Sequence, residues 1–175
     1  MGGYPSIGQS AGFNFLIEVV MAVVLYILVL VGTFVVMEGI TWLTHKYVMH
    51  GFLWNLHEDH HQKKEDEFFE KNDAFFIIFA ALSMIFFGLG TFIPSLSFLI
   101  FIGTGITLYG FAYFMVHDIF IHQRFKLFTR TDNFYFRGLR KAHKVHHKHL
   151  HKPDGECFGM LWVPVKYFKE ALKNK

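Results

Sequence analysis

Charged side chains are absent from two long stretches of this chain, and the lengths of those stretches predict its architecture. Between Glu18 and Glu38 lie 19 uncharged residues, Val19 to Met37. As a helix rising about 1.5 Å per residue, they nearly cover a hydrocarbon core of about 30 Å. The apolar character runs on through Gly39, Ile40, Thr41, Trp42 and Leu43 to His45, so this helix is expected to protrude from the bilayer. Between Asp73 and His117 lie 43 uncharged residues, too many for one span and right for two. Pro94-Ser95 is the expected turn, because proline lacks an N–H and the residue before it avoids helical backbone. The pattern predicts an all-α integral membrane protein with about three transmembrane helices, near 14–43, 74–93 and 96–117; a fourth, short or re-entrant, is compatible with it. The polar segments, about 45–73 and 117–175, would form a histidine-rich helical cap, and 1–175 reads as a single membrane-embedded domain.

Composition agrees. Hydrophobic residues are 53% and charged residues 18%, more apolar than the roughly 45–50% of a soluble domain. These values exclude a disordered chain, and the single Cys157 excludes a disulfide framework within it. A net charge of +3 gives no reason to expect nucleic acid as a partner. The placement of charge is more telling. All 17 Lys and Arg lie within 46–71 or 124–175, so the positive-inside rule puts both basic segments in the cytoplasm and the N-terminus outside. No basic segment with a cleavage site opens the chain, so no signal peptide is expected. Met1-Gly2 with Ser6 matches the N-myristoylation pattern, but Pro5 and an outside N-terminus make that match a coincidence.

The feature that topology does not explain is histidine, 12 copies against one cysteine. Ten fall in a doubled pattern: His45 and His50, then His57, His60 and His61; His117 and His122, then His143, His146 and His147. Thus H-x4-H followed by H-x2-HH occurs twice. Helix positions i, i+3 and i+4 fall within an arc of about 100°, so each H-x2-HH aims three imidazoles at one region. Positions i and i+5 diverge by about 140° on a regular helix, and converge only at a helix end, at a bulge or across a site. The first and third spans cross in the same direction, so all ten imidazoles can assemble at one cytoplasmic membrane surface.

Ten imidazoles exceed the needs of one ion, and two metals are the natural count. Imidazole suits Zn, Cu, Fe and Ni alike, whereas structural zinc usually recruits cysteine. The carboxylate-rich di-iron bundle needs two Glu-x-x-His motifs, and only Glu58 with His61 supplies one; Lys144 stands at the second place.

The segments MEGITWLTHKYVMHGFLWNLHEDHH, YGFAYFMVHDIFIHQRF and AHKVHHKH resemble the non-haem di-iron beta-carotene hydroxylases, within the wider membrane fatty-acid hydroxylase superfamily. The likeness runs from about Met37 to Pro164. It implies O2-dependent hydroxylation of the beta-ionone ring at carbon 3, giving cryptoxanthin and zeaxanthin. It further implies that the ten clustered histidines hold two iron ions, with zinc able to enter the purified protein. His149 and His151 lie outside the family pattern. Plant members carry a transit peptide that is absent here, which suits a bacterial inner-membrane protein. No nicotinamide or flavin motif is visible, so electrons would come from an external donor, a ferredoxin-like protein or other reductase. Arg137, Arg140, Lys141, Lys144 and Lys148 form a basic stripe that could receive it, or simply meet lipid headgroups and water.

Metal-bound histidines usually donate their second N–H to an oxygen, and Asp118, Glu58, Asp59 and Asp73 are near enough in sequence to serve. Asp118 and Glu58 are the leading candidates. Glu38, seven residues before His45, is a candidate for supporting a ligand ring or delivering protons, or for simple interfacial placement. Phe86-Phe87 and Phe111 to Phe114 could line a polyene channel but suit helix packing better, and Gly88, Gly90, Gly103, Gly105 and Gly110 would permit close helix approach. Other readings remain: a fatty-acid or sterol hydroxylase, a desaturase, a carotenoid ketolase, a zinc protease using the HEDHH at 57–61 as H-E-x-x-H, or a zinc-holding membrane scaffold or carrier.

Overall fold

Apolar residues on every face of a helix leave it nowhere to rest but lipid or another helix, and three stretches of this chain are of that kind. In the computed structural model, which describes residues 7–62, 68–149 and 155–173, the helices Ala11–Phe52, Asp73–Phe92 and Leu99–Ile121 are long and apolar enough to cross a membrane. The elements in order are α1 (Ile7–Leu43), a π-helical segment (Thr44–Phe52), α2 (Trp54–His61), α3 (Asp73–Phe92), a 3-10 turn (Pro94–Leu96), α4 (Leu99–Phe114), a second π-helical segment (Met115–Ile121), α5 (Phe134–His146) and α6 (Val165–Lys173). No strand and no fourth long apolar helix occurs among the described residues. The Met1–Ser6 pattern and His151 lie outside them.

The turn between α3 and α4 forms as proline chemistry requires: Ile93 is extended (φ −119°, ψ 99°) and Pro94 opens the 3-10 turn. The spans then pack through small residues. A Cβ on Gly105 of α4 would lie 2.7 Å from the Thr33 Cβ and 2.8 Å from the Leu30 carbonyl oxygen, so α1 and α4 touch backbone to backbone there. Gly103 and Gly90 serve the α3–α4 contact in the same way, while Gly88 faces open space and Gly110 meets only Phe76 at 3.9 Å. The hydroxyls between α3 and α4 satisfy one another: Ser83 Oγ lies 2.8 Å from the Gly103 carbonyl and 2.7 Å from Thr107 Oγ1.

Two small cores follow. Met37, Ile106 and Tyr109 meet where the spans converge below the cap. Val116, Leu139, Ala142, Cys157, Met160, Val163 and Tyr167 pack α5 and α6 beneath it. The Asn133 side chain accepts the Tyr135 N–H to start α5, and Gly138 admits Phe168 of α6 against it. Between these helices the strap 155–163 returns to α1, where Glu38 fastens it. Glu38 Oε1 accepts the backbone N–H groups of Met160, Leu161 and Trp162 at 2.9, 2.9 and 2.8 Å, and Tyr109 donates its hydroxyl to Oε2 at 2.6 Å. This carboxylate is the clasp of the cap.

The basic stripe is also partly structural. Arg140 turns inward, donating to the carbonyls of Phe120 and Thr129 at 2.7 and 2.9 Å with its guanidinium 4.0 Å over the Phe120 ring, and Lys141 pairs with Glu170. Lys144 and Lys148 are exposed.

Candidate metal centre

His45, His50 and His117 sit on π-helical backbone and His122 directly follows it, which accounts for how residues five apart can share a face. A π-turn closes an i→i+5 hydrogen bond, stacking residue i+5 over residue i. One such bond joins the paired histidines themselves, from the His122 N–H to the His117 carbonyl at 2.8 Å. The first segment ends at a kink at Gly51 (φ −117°, ψ −123°), which redirects the chain into α2. After His122, Gln123 takes a left-handed conformation (φ 54°) that turns the chain out of its helix.

The rings gather in two groups. His45, His50, His57, His61 and His146 form the first, and His60, His117, His122 and His143 the second, with the ligand nitrogens of each group within 4.8 Å of one another. His147 stands beside the second group, its Nε2 2.9 Å from that of His143 and its ring stacked on His61 at 4.3 Å. The three imidazoles of an H-x2-HH therefore do not share one target. His57 and His61 serve the first group while His60 crosses to the second; His143 serves the second while His146 crosses to the first. The helix accounts for this, since i+4 lies about 40° from i on one side and i+3 about 60° on the other.

The nitrogen chemistry fits a cation in each group. A neutral imidazole has one N–H and one lone pair. His60 and His117 both turn Nδ1 to a carboxylate, Glu70 at 2.8 Å and Asp118 at 3.2 Å, which fixes the proton on Nδ1 and the lone pair on Nε2. Yet these two Nε2 atoms face each other at 3.0 Å. In the first group His45 bonds the Phe158 carbonyl at 3.0 Å and His57 the Asn72 Oδ1 at 2.7 Å, and their Nε2 atoms also meet, at 3.1 Å. Lone pairs aimed at one another repel unless a positive ion lies among them. His146 adds an Nδ1 contact to the Glu156 carbonyl at 3.1 Å, with Nε2 3.2 Å from that of His50.

Burial keeps these rings neutral. It pulls His57 down to about 3, with the Asn72 contact opposing, His146 to about 2 and His147 to about 4; His60 and His143 also fall well below the ordinary value. The same imidazoles in the unfolded chain take up protons below about pH 6.5, so the unfolded state binds more protons there. Stability is thus fully present above that pH and lost as pH falls toward the folded values. Metal-free protein in detergent should lose unfolding free energy as pH falls from about 6.5 toward about 4. The check is its melting temperature across that range. A metal-loaded sample should resist the fall, because a ligating nitrogen takes no proton.

Of the carboxylates expected to orient the rings, Asp118 lies against His117, but Glu58 does not serve. One position after His57, it points about 100° away around α2 and is exposed. Asp59 accepts the Lys71 N–H at 2.6 Å instead, and Asp73 holds the Glu70 N–H and Arg124. Glu70, Asn72 and Arg124 were not legible as partners, because no helical spacing ties them to the histidines.

Below the second group lies an apolar cavity of about 470 Å³. Met37, Ile106, Phe75, Phe76, Phe79 and Phe114 are among the apolar residues of its wall, and Asn72, Asp118 and Arg124 also line it. Phe86 and Phe87 do not line it; Phe86 packs against the core at Met37 and Ile106.

A sequence profile described as fatty acid hydroxylase matches residues 29–165. The chain is 39% identical over 137 residues to the beta-carotene hydroxylase of Pantoea ananas, covering 78% of this chain and 77% of that one. It is 36% identical over 149 residues to the beta-carotene hydroxylase of Paracoccus sp. (strain PC1), covering 84% and 90%. With the chloroplastic beta-carotene 3-hydroxylase 1 of Arabidopsis thaliana it shares 39% over 150 residues, 83% of this chain but 46% of the plant protein. No solved structure matches.

Proposed function

The chain belongs to the fatty acid hydroxylase family, and from that premise we propose that it hydroxylates the beta-ionone ring of beta-carotene at carbon 3, giving cryptoxanthin and then zeaxanthin. It is an oxidoreductase of the membrane, with histidine groups that could hold metal. The observation that carries the reading is the paired, inward-facing Nε2 atoms together with an apolar cavity between the spans, lined in part by Asn72 and Asp118, which hold His57 and His117. The cavity lies within the roughly 300–1,000 Å³ typical of ligand pockets, and its aromatic lining suits a ring at the end of a polyene.

Two iron ions held by the ten histidines would supply dioxygen activation, one oxygen atom entering the C–H bond and the other leaving as water. The chain's own residues do the rest. Nδ1 contacts to Glu70, Asp118, Asn72, Phe158 and Glu156 fix the tautomer and direction of His60, His117, His57, His45 and His146. The phenylalanines of the cavity exclude water and hold the substrate's ring near the centre. Electrons come from a separate ferredoxin-like donor or other reductase. Since the basic residues border only the histidine-bearing end of the spans, that end faces the cytoplasm of a bacterial inner membrane, with the N-terminus outside.

The test is pigment analysis of cells that accumulate beta-carotene and express this chain. Products heavier by one and by two oxygen atoms are expected. Unchanged beta-carotene, with iron-bearing protein in the membrane, would overturn the carotenoid substrate and redirect the search to hydroxylated or desaturated acyl chains or sterols. Zinc in the isolated protein would reflect imidazole's weak discrimination among these ions.

A further inference from the structure

The two histidine groups differ in what stands behind their rings. In the second group, His60 and His117 donate Nδ1–H to carboxylates, Glu70 and Asp118, and all four residues are buried. Arg124 draws these carboxylates together: it lies 3.1 Å from Glu70, 3.2 Å from Asp118 and 2.9 Å from Asp73. Three carboxylates thus surround one guanidinium behind this group. In the first group the oxygens that receive His45, His57 and His146 are the Phe158 carbonyl, the Asn72 amide and the Glu156 carbonyl. None of these carries charge. The Glu156 carboxylate is turned away, to Lys166 at 2.7 Å and the Tyr167 hydroxyl at 2.6 Å.

A carboxylate behind a ligating imidazole makes the ring a stronger donor, and buried negative charge near a cation is weakly screened. Resting on the two-metal reading above, we infer that the two sites are unequal. The site built by His60, His117, His122 and His143 binds a divalent cation first and more tightly, with Glu70 and Asp118 as its positioning residues. The same charge favours the more highly charged ion there, so this site is the easier of the two to oxidise.

The experiment is a titration of the purified full-length protein, stripped of metal and held in lipid nanodiscs, with Co2+ under anaerobic conditions. Visible absorption reports occupancy, and retained metal is counted after dialysis. Two steps are expected, with the tight step lost in His122→Ala and the weak step lost in His50→Ala. Glu70→Gln keeps an oxygen to accept the His60 proton but removes the charge; it should weaken the tight step by roughly 10–100-fold and leave the other unmoved. Asn72→Asp, which adds a charge behind His57, should strengthen the weak step. A merely structural role for Glu70 would lower both steps together, and that result overturns the inference. So does a single class of two equivalent ions, or a tight step that survives His122→Ala and disappears in His50→Ala. Failure to bind Co2+ at all would overturn the two-metal reading itself, whereas two equal ions would leave that reading standing.

Discussion

Cells that accumulate beta-carotene and express the His146→Ala variant will hold the protein in their membranes and make no hydroxylated pigment. His146 is fully buried, and its Nδ1 is engaged by the Glu156 carbonyl while Nε2 faces His50. It is also the ring through which α5 reaches into the group otherwise built by the π-helical segment Thr44–Phe52 and α2. Removing it takes a ligand from one ion and the tie between the two halves of the cap. The variant should retain less than half of the wild-type iron. Lys144→Ala, on the exposed face of the same helix, is the matched control and should leave both pigment and iron unchanged. Full activity in His146→Ala would mean that the ring is not a ligand.

Glu38→Ala should be the most destabilising single change outside the histidines. Three backbone N–H groups of the strap and the Tyr109 hydroxyl lose their acceptor at once, which should cost on the order of 2–4 kcal/mol. The damage should also spread to the site. The strap carries the Phe158 and Glu156 carbonyls that set His45 and His146, so releasing it should lower metal content as well as the unfolding midpoint. Glu38→Gln retains an oxygen for the N–H groups and should lose less. Protease cutting within 155–163 in Glu38→Ala, and not in the wild type, would locate the failure in the strap.

Much of the architecture was legible because it depends on coarse quantities. Spans follow from uncharged length, and the turn at Pro94 from a missing N–H. That both histidine halves meet follows from the parity of crossings between them. The finer arrangement was not legible. Five-residue spacing admits a helix end, a bulge or a straddled site, and only the backbone chooses the π-turn. The crossing of His60 and His146 depends on two sites lying about one helical quarter-turn apart, which no single helix encodes. Partners such as the Phe158 and Glu156 carbonyls are main-chain atoms, which every residue has, so residue type gives no hint of them. Glu38 was conspicuous as an acid beside an apolar run, but its partners lie 71 to 124 residues away.

The cavity has one more consequence, for how a molecule arrives in it. Phe76 and Ile77 of α3 line its wall and are also exposed, 52% and 66%, so these side chains border both the cavity and the surface that acyl chains would cover. A hydrocarbon dissolved in the bilayer can step in sideways without ever meeting water. Its supply is then set by its mole fraction among the lipids, and no aqueous concentration describes it. Adding empty vesicles or detergent to a fixed amount of enzyme and pigment would slow the reaction by dilution in two dimensions, even with every bulk concentration unchanged.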